Sequence, residues 1–245
     1  HMVSSGSEGR HGCEGSLELF EKIHSCPDID YMNIHIWPYN WSWVRENTLK
    51  TNLPVAIENT DKYIDEHVAV AARYGKPVVL EEFGFPRDDF QFAKGTPTTA
   101  RDEYYRHVFG RIVESAKEGG LFAGLNFWGW GGLASQSETN LYWQQGDDYC
   151  GDPAQEQQGL NSVYACDQST VRVIRYAASA IEKALGPQAW FEVEEKETIS
   201  ECIDRMTEDG YQIAGRREEP IFAEVEGGPP VPVRQLIMLK GIKET

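Results

Sequence analysis

The spacing of apolar residues divides the first three quarters of the chain into alternating strand and helix segments. Short apolar runs predict strands at residues 2–5, 31–36, 77–82 and 122–128. Stretches with an apolar face of helical period predict helices at residues 16–24, 57–74, 99–118 and 170–185. Four strand–helix units in succession predict right-handed crossovers and a parallel sheet.

The loops between these segments are unequal. Long loops rich in aromatic residues follow the predicted strands at residues 37–54, 83–97 and 129–168, whereas short loops lead from each helix to the next strand. This asymmetry is typical of a (β/α) barrel, in which the chemistry lies at the C-terminal ends of the strands. Because a complete barrel needs eight units and the pattern gives four, the sequence predicts an α/β fold in the form of half a (β/α)8 TIM barrel.

A different pattern follows Gly186 and Pro187. Thr198 and Glu201 form a capping box that opens a predicted helix ending at Glu208. Alternating apolar residues predict strands at residues 190–193, 211–217, 221–225 and 234–239, with a turn at residues 227–230. We therefore predict two domains, a half barrel at residues 1–186 and a small α+β module at residues 187–245.

The charge and the apolar pattern of the chain argue against two classes of binding partner. The chain has 245 residues, with 23 Lys and Arg against 39 Asp and Glu, which gives a formal net charge of −16. Such a chain repels phosphate backbones, so we expect no nucleic-acid partner. No apolar run approaches the roughly 20 residues that span a bilayer, so we expect no membrane partner either. No cluster has the spacing of metal ligands, and we expect neither a metal nor a cofactor.

The cysteines leave two interpretations open. Cys13 and Cys26 flank one short helical stretch, and Cys150 and Cys166 flank one loop. Two local disulfides are plausible and would indicate an oxidising compartment for the first domain, whereas five free thiols are the alternative. Cys202 lies on the apolar face of the predicted tail helix and is expected to be a free, packed thiol.

Residues suited to sugar chemistry stand at the ends of three predicted strands. His35 ends the first, Glu81 and Glu82 end the second, and Trp128 ends the third. Because neighbours on a strand point to opposite faces, only one of the two glutamates can enter the cleft. A carboxylate can attack an anomeric carbon, and a tryptophan can stack on the apolar face of a pyranose. The alternative is that the glutamate pair is only a solvated strand end.

Four stretches together resemble one enzyme family. They are residues 3–9, 33–41, 76–84 and 124–130, which include the runs Asn-Ile-His-Ile-Trp-Pro-Tyr-Asn-Trp and Lys-Pro-Val-Val-Leu-Glu-Glu-Phe-Gly. They are similar to strands 5–8 of a glycoside hydrolase family 5 endo-β-1,4-mannanase. The resemblance implies the C-terminal half of such a barrel and a β-mannan polysaccharide or oligosaccharide as the substrate.

The resemblance also assigns roles to residues. The glutamate before the aromatic–glycine pair, which is the nucleophile of the family, is Glu82, and the sixth-strand histidine is His35. The stacking tryptophan of the eighth strand is Trp128. We add three further tryptophans as substrate-binding candidates: Trp37, Trp41 and Trp130. Trp37 stands where the family usually has a tyrosine, which puts the usual phenolic hydrogen bond to the nucleophile in question.

One catalytic group of the family is missing. Retaining enzymes place an acid/base carboxyl roughly 5–5.5 Å from the nucleophile, and in this family that glutamate follows an asparagine at the end of the fourth strand. No Asn-Glu dipeptide occurs in the chain, and the first four strands with their early arginine have no counterpart. The resemblance therefore implies a mannanase fragment that is weakly active or inactive alone.

The tail has a resemblance of its own. Residues from about 191 to 244 are similar to the small NETI-motif proteins, with Lys196-Glu197-Thr198-Ile199 at the motif. That family is cytoplasmic and the mannanases are exported, so the two resemblances predict a chimera and leave the compartment of this chain undecided.

Two other functions remain alternatives at this point. The first is a non-catalytic glycan-binding module that uses the tryptophans. The second is a self-associating half barrel without a ligand, in which two chains pair through their open edges as a homodimer, because exposed edge strands invite pairing.

Overall fold

The computed structural model describes residues 2–137, 139–223 and 231–243. The chain separates into two compact units, residues 1–181 and residues 182–245. This division falls five residues before the boundary expected at residue 186.

The first unit contains a parallel sheet and four helices, of which the last continues three residues past the division at residue 181. The sheet has the order β1 (Met32–Ile36), β2 (Val78–Phe83), β3 (Phe122–Phe127), and all its pairings are parallel. The helices are α1 (Leu17–His24), α2 (Leu53–Ala72), α3 (Thr99–Glu118) and α4 (Gln168–Ala184). The mixed α/β architecture and the parallel pairing agree with the sequence prediction.

Local chemistry explains where these helices begin and end. The Ser16 hydroxyl accepts the Leu19 N–H and caps α1. The second helix starts four residues before the predicted position because Pro54 suits its first turn, where no N–H partner is needed. Gly119 ends α3 in the left-handed conformation, at the predicted residue.

The strand predicted at residues 2–5 is wrong. Those residues run beside the start of β1, and the Asp30 N–H donates to the Val3 carbonyl, but they form no strand. The hydroxyls of Ser4 and Ser5 donate instead to the Asn33 side-chain oxygen, which replaces a regular backbone ladder by side-chain bonds. Within the described residues the parallel sheet therefore has three strands instead of four.

A second pair of strands follows the sheet. It consists of β4 (Trp130–Gly132) and β5 (Val163–Tyr164), which pair in parallel and bracket a long loop. The core of the unit lies between the sheet and its helices, where Ile34, Leu80 and Tyr104 are fully buried.

The second unit is a three-stranded antiparallel sheet with one helix. Its elements are β6 (Gln188–Glu192), α5 (Ile199–Glu208), β7 (Tyr211–Ala223) and β8 (Val231–Lys243), and the sheet order is β6-β8-β7. The predicted capping box is confirmed. Strand β7 runs without a break through the strand predicted at residues 211–217 and on to Ala223. The rest of the strand predicted at residues 221–225 and the turn predicted at residues 227–230 lie outside the described residues.

Of the two interpretations of the cysteines, the structure agrees with five free thiols and not with two local disulfides. The Cys13 thiol is buried near the Ser7 hydroxyl, whereas the Cys26 thiol faces Asp28 on the surface. Cys150 is buried and Cys166 is exposed, so each proposed pair is split between two environments. Cys202 is buried with Met206 and Leu239, as predicted for a packed thiol.

None of the helices in the described part of the chain combines the length and apolar character needed to cross a membrane.

Candidate active site

A cavity of about 230 Å³ opens at the C-terminal ends of the parallel strands. Trp37 follows β1, Glu82 lies near the end of β2, and Trp128 follows β3, so all three strands contribute to one site. The residues that line it are Glu8, Trp37, Asn40, Trp41, Glu82, Trp128, Pro153 and Glu156. Four of the six residues predicted for the site thus lie together.

Glu82 is the central carboxylate of this cavity. Its Oε2 atom lies 3.2 Å from Nδ1 of His35, which stands opposite it on β1. Burial raises the pKa of Glu82 above its usual range, the His35 ring opposes that shift, and the charges of Glu8 and Glu81 add to it. His35 itself is almost fully buried and contacts the nucleophile candidate without lining the cavity.

The tryptophans form the apolar part of the wall. The rings of Trp37 and Trp128 meet edge to face with 6.3 Å between their centroids. The indole N–H of Trp128 is buried, and it has no hydrogen-bond partner among the described residues. Trp41 stacks on His11 at 3.8 Å. Trp130 differs from the other three: it lies on β4, is 58% exposed and does not line this cavity.

The loop between β4 and β5 supplies the remaining wall. Glu156 from this loop accepts a hydrogen bond of 3.0 Å from the Asn40 amide, and burial raises the pKa of Glu156. Asp152 holds the loop by accepting bonds from the Gly159 and Asn161 N–H groups. Buried Arg101 of α3 donates to the carbonyls of residues 160 and 162, which fixes the same loop to α3.

Glu8 reaches the cavity from the segment before α1. Tyr63 of α2 donates to the Glu8 carbonyl at 2.6 Å, and the N–H of Arg10 donates to His67 at 2.9 Å. The segment is thereby held against α2 by two buried rings.

Sequence reasoning missed four of the lining residues: Glu8, Asn40, Pro153 and Glu156. Glu8 and Asn40 lie inside stretches that carried the family resemblance, so a signal was present for them. Pro153 and Glu156 lie in an aperiodic loop, where the pattern of apolar residues carries no information about which side chains return to the site.

The family of the first unit follows from comparison with known sequences. Residues 1–185 match the sequence model described as GH family 5 beta-mannosidase-like. The chain belongs to glycoside hydrolase family 5. The resemblance found in the four strand-end stretches is therefore confirmed.

Plant mannanases are among the relatives of this family 5 chain. It is 30% identical over 139 residues to the putative mannan endo-1,4-beta-mannosidase 9 of Oryza sativa subsp. japonica, which covers 52% of this chain and 31% of that protein. It is 27% identical over 165 residues to mannan endo-1,4-beta-mannosidase 7 of Arabidopsis thaliana, covering 58% and 36% of the two chains. The chain thus spans about a third of the length of these relatives.

A fungal enzyme gives the corresponding structural match. The glycoside hydrolase family 5 mannosidase from Rhizomucor miehei superimposes with a TM-score of 0.67 and 32% identity, covering 75% of this chain and 44% of that one. A glutamate-to-alanine variant of that enzyme, solved in complex with mannosyl-fructose, superimposes with a TM-score of 0.66.

The second unit matches a different family. Residues 190–242 match the NETI protein family, which confirms the resemblance found at the capping box of α5.

Proposed function

We propose that residues 1–186 are the C-terminal half of a retaining endo-β-1,4-mannanase barrel, and that Glu82 is its nucleophile. The observation that carries the proposal is the position of Glu82, in a cavity lined by three tryptophans and 3.2 Å from the buried His35. A carboxylate in this setting can attack an anomeric carbon while the sugar packs against the indole rings. The proposed substrate is a β-mannan polysaccharide or oligosaccharide, which is the class named for the plant relatives.

We propose that this chain is catalytically impaired, because none of its residues matches the acid/base glutamate of the family. Departure of an unactivated sugar needs a proton, and general acid catalysis typically contributes about 10²–10⁴-fold. Glu8 and Glu156 also line the cavity, but neither stands at the end of a fourth barrel strand. A substrate whose leaving group departs without a proton avoids this deficit and still requires Glu82.

A comparison of two substrates tests this proposal. We expect hydrolysis of β-mannan at least about a hundredfold slower than by a full-length relative. We also expect measurable turnover of an aryl β-mannoside with a good leaving group, and loss of that turnover in Glu82→Gln. Normal cleavage of mannan by the wild-type chain would contradict it, and Glu8→Gln and Glu156→Gln would then show which carboxyl supplies the proton.

A non-catalytic glycan-binding module is the second candidate function. It is favoured by the buried N–H of Trp128, since a sugar hydroxyl would satisfy that donor. Calorimetric titration with mannohexaose separates the two functions. A pure binding module keeps its affinity in Glu82→Gln, loses it in Trp128→Ala, and turns over no activated mannoside.

We further propose the half-barrel fold with a homodimer through its open side. In the described part of the chain β3 pairs only with β2, and an apolar groove of about 470 Å³ lies along β3 between α3 and α4. An unpaired strand edge beside an apolar groove favours association with another chain. The second unit is proposed to be a separate NETI-like module, at residues 187–245.

A further inference from the structure

Two adjacent glutamates at the end of β2 both approach the same histidine. Nδ1 of His35 lies 3.2 Å from Glu82, and Nε2 of the same ring lies 3.7 Å from Oε2 of Glu81. Adjacent residues of a regular strand point to opposite faces and cannot share a neighbour in this way. The imidazole therefore has a carboxylate at each of its nitrogens.

An irregularity in the sheet explains how both side chains reach the ring. The register between β1 and β2 shifts after Ile34, so that Ile34 pairs with Leu80 and His35 pairs with Glu82. Glu81 is the extra residue on β2 at this point. Bulges of this kind re-aim a side chain and are common beside active sites.

The carboxylate of Glu81 is anchored on its other side. The Tyr31 hydroxyl donates to Oε1 of Glu81 at 2.7 Å, and this bond raises the pKa of Tyr31 to about 12, so the phenol keeps its proton. Oε1 is thus held by Tyr31 while Oε2 faces His35. The chain Tyr31–Glu81–His35–Glu82 runs from the start of β1 to the cavity.

Resting on the proposed nucleophilic role of Glu82, we propose that Glu81 is a positioning residue. Its anchored carboxylate fixes the orientation of the His35 ring so that Nδ1 faces Glu82. Trp37, which lines the cavity together with Glu82, has no hydroxyl that could hold the nucleophile. The His35 ring lies in ion-pair range of Glu82, at 3.2 Å, so the orientation of this ring decides how the nucleophile is held.

The charge of Glu81 does not by itself favour the ionised form of Glu82. The charge of Glu81 raises the pKa of Glu82 and so opposes its ionisation, whereas the His35 ring lowers it. The proposed effect of Glu81 on the nucleophile therefore acts through the His35 ring, whose Nε2 lies 3.7 Å from Oε2 of Glu81. A purely structural role predicts instead that loss of Glu81 lowers stability without changing the histidine ring.

The test combines a spectroscopic measurement with trapping of the nucleophile, on the full chain. The ¹⁵N chemical shifts of the His35 ring nitrogens, assigned with His35→Gln, are compared in wild type, Glu81→Gln and Tyr31→Phe. The three proteins are also treated with an activated 2-deoxy-2-fluoro-β-mannoside, and the limiting rate of labelling at saturation is separated from the half-saturating concentration. Glu58→Gln, which removes an exposed carboxylate of α2, is the control.

Glu81→Gln is expected to shift both ring nitrogens and to lower the limiting labelling rate by about tenfold, with little change in the half-saturating concentration. Tyr31→Phe is expected to act in the same direction with a smaller effect, and Glu58→Gln to do neither. Unchanged His35 shifts in Glu81→Gln, or an unchanged limiting rate, would overturn the inference. If the wild-type chain is not labelled at all, the nucleophilic role of Glu82 fails, and the ¹⁵N shifts still decide whether Glu81 orients His35.

Discussion

Gly9 allows the segment that carries Glu8 to pass close to α2. Its φ is +74°, and a Cβ atom there would lie 2.7 Å from the Tyr63 hydroxyl and 2.8 Å from Nε2 of His67. We expect Gly9→Ala to lower the free energy of unfolding by about 2–4 kcal/mol, because the left-handed strain adds to an overlap with buried rings.

Gly6→Ala is the matched control for this substitution. Its φ is +70°, but among the described residues no atom beyond its two chain neighbours lies within 4 Å of the added methyl group, so only the conformational cost of about 1 kcal/mol applies. Urea denaturation of the two variants measures the difference. Equal losses would mean that close packing at Gly9 contributes nothing.

The buried His67 lowers the folding stability of the chain as the pH falls. The buried ring is satisfied as a neutral group, because Nδ1 donates to the Tyr63 carbonyl and Nε2 accepts the Arg10 N–H. Burial lowers the pKa of His67 to about 4, below the value of 6.5 in an unfolded chain. Between these values the unfolded state binds a proton that the folded state does not, so this contribution to stability is lost as the pH falls from 6.5 to 4.

The full effect of His67 across this window is about 3 kcal/mol. Urea denaturation at several pH values, for wild type and His67→Gln, isolates it from the other titrating groups. The variant should be less stable at pH 7 and should lose less of its stability on acidification. Parallel curves for the two proteins would contradict the neutral state of the buried ring.

At the scale of elements, the periodicity of the sequence located the helices and strands but not the departures from regularity. The bounds of α3 were predicted from its apolar face and its terminal glycines, because both are local signals. The bulge at His35 and the side-chain bonds of residues 4 and 5 depend on partners 28–50 residues away, which periodicity does not encode. The approach of both Glu81 and Glu82 to His35 is therefore a result of the register between β1 and β2.

Arg101 shows how one helix holds the loop that walls the cavity. Its guanidinium is fully buried and donates to three carbonyls, those of Phe85, Leu160 and Ser162. We expect Arg101→Met to lower the free energy of unfolding by about 3 kcal/mol or more, because buried carbonyls lose their donors.

Limited proteolysis measures the effect of this substitution on the loop directly. Cleavage between β4 and β5 should become faster in Arg101→Met, since the loop loses its tie to α3. Arg106→Met changes an exposed arginine of the same helix and should cleave like wild type. Equal cleavage of the two variants would indicate that other contacts hold the loop.

At the scale of the whole molecule, the sequence predicted which strand ends meet but only part of the site. The convergence of Glu82, Trp37 and Trp128 followed from parallel strands whose C-terminal ends share one edge. The contact between Asn40 and Glu156 joins residues 116 positions apart, and neither position stands at a predicted strand end. Trp130 does not line the cavity because it belongs to the short strand β4, which the apolar pattern did not predict.

The proposed homodimer can be tested by the mass of the protein in solution. Light scattering at micromolar concentration should give about twice the chain mass of 27.7 kDa. A charged substitution in the groove along β3, Leu125→Lys, should shift the mass towards the monomer, whereas Val55→Lys on the exposed surface of α2 should not. A wild-type mass near that of one chain would contradict the dimer.

Covalent trapping of Glu82 tests the central claim most directly. The chain is incubated with an activated 2-deoxy-2-fluoro-β-mannoside, and intact mass followed by peptide mapping locates any adduct. Because the attack needs a nucleophile but no acid when the leaving group is good, the account predicts one added sugar, on Glu82, and none in Glu82→Gln. Labelling at another residue, or no labelling of a folded wild-type chain at saturating reagent, would contradict it.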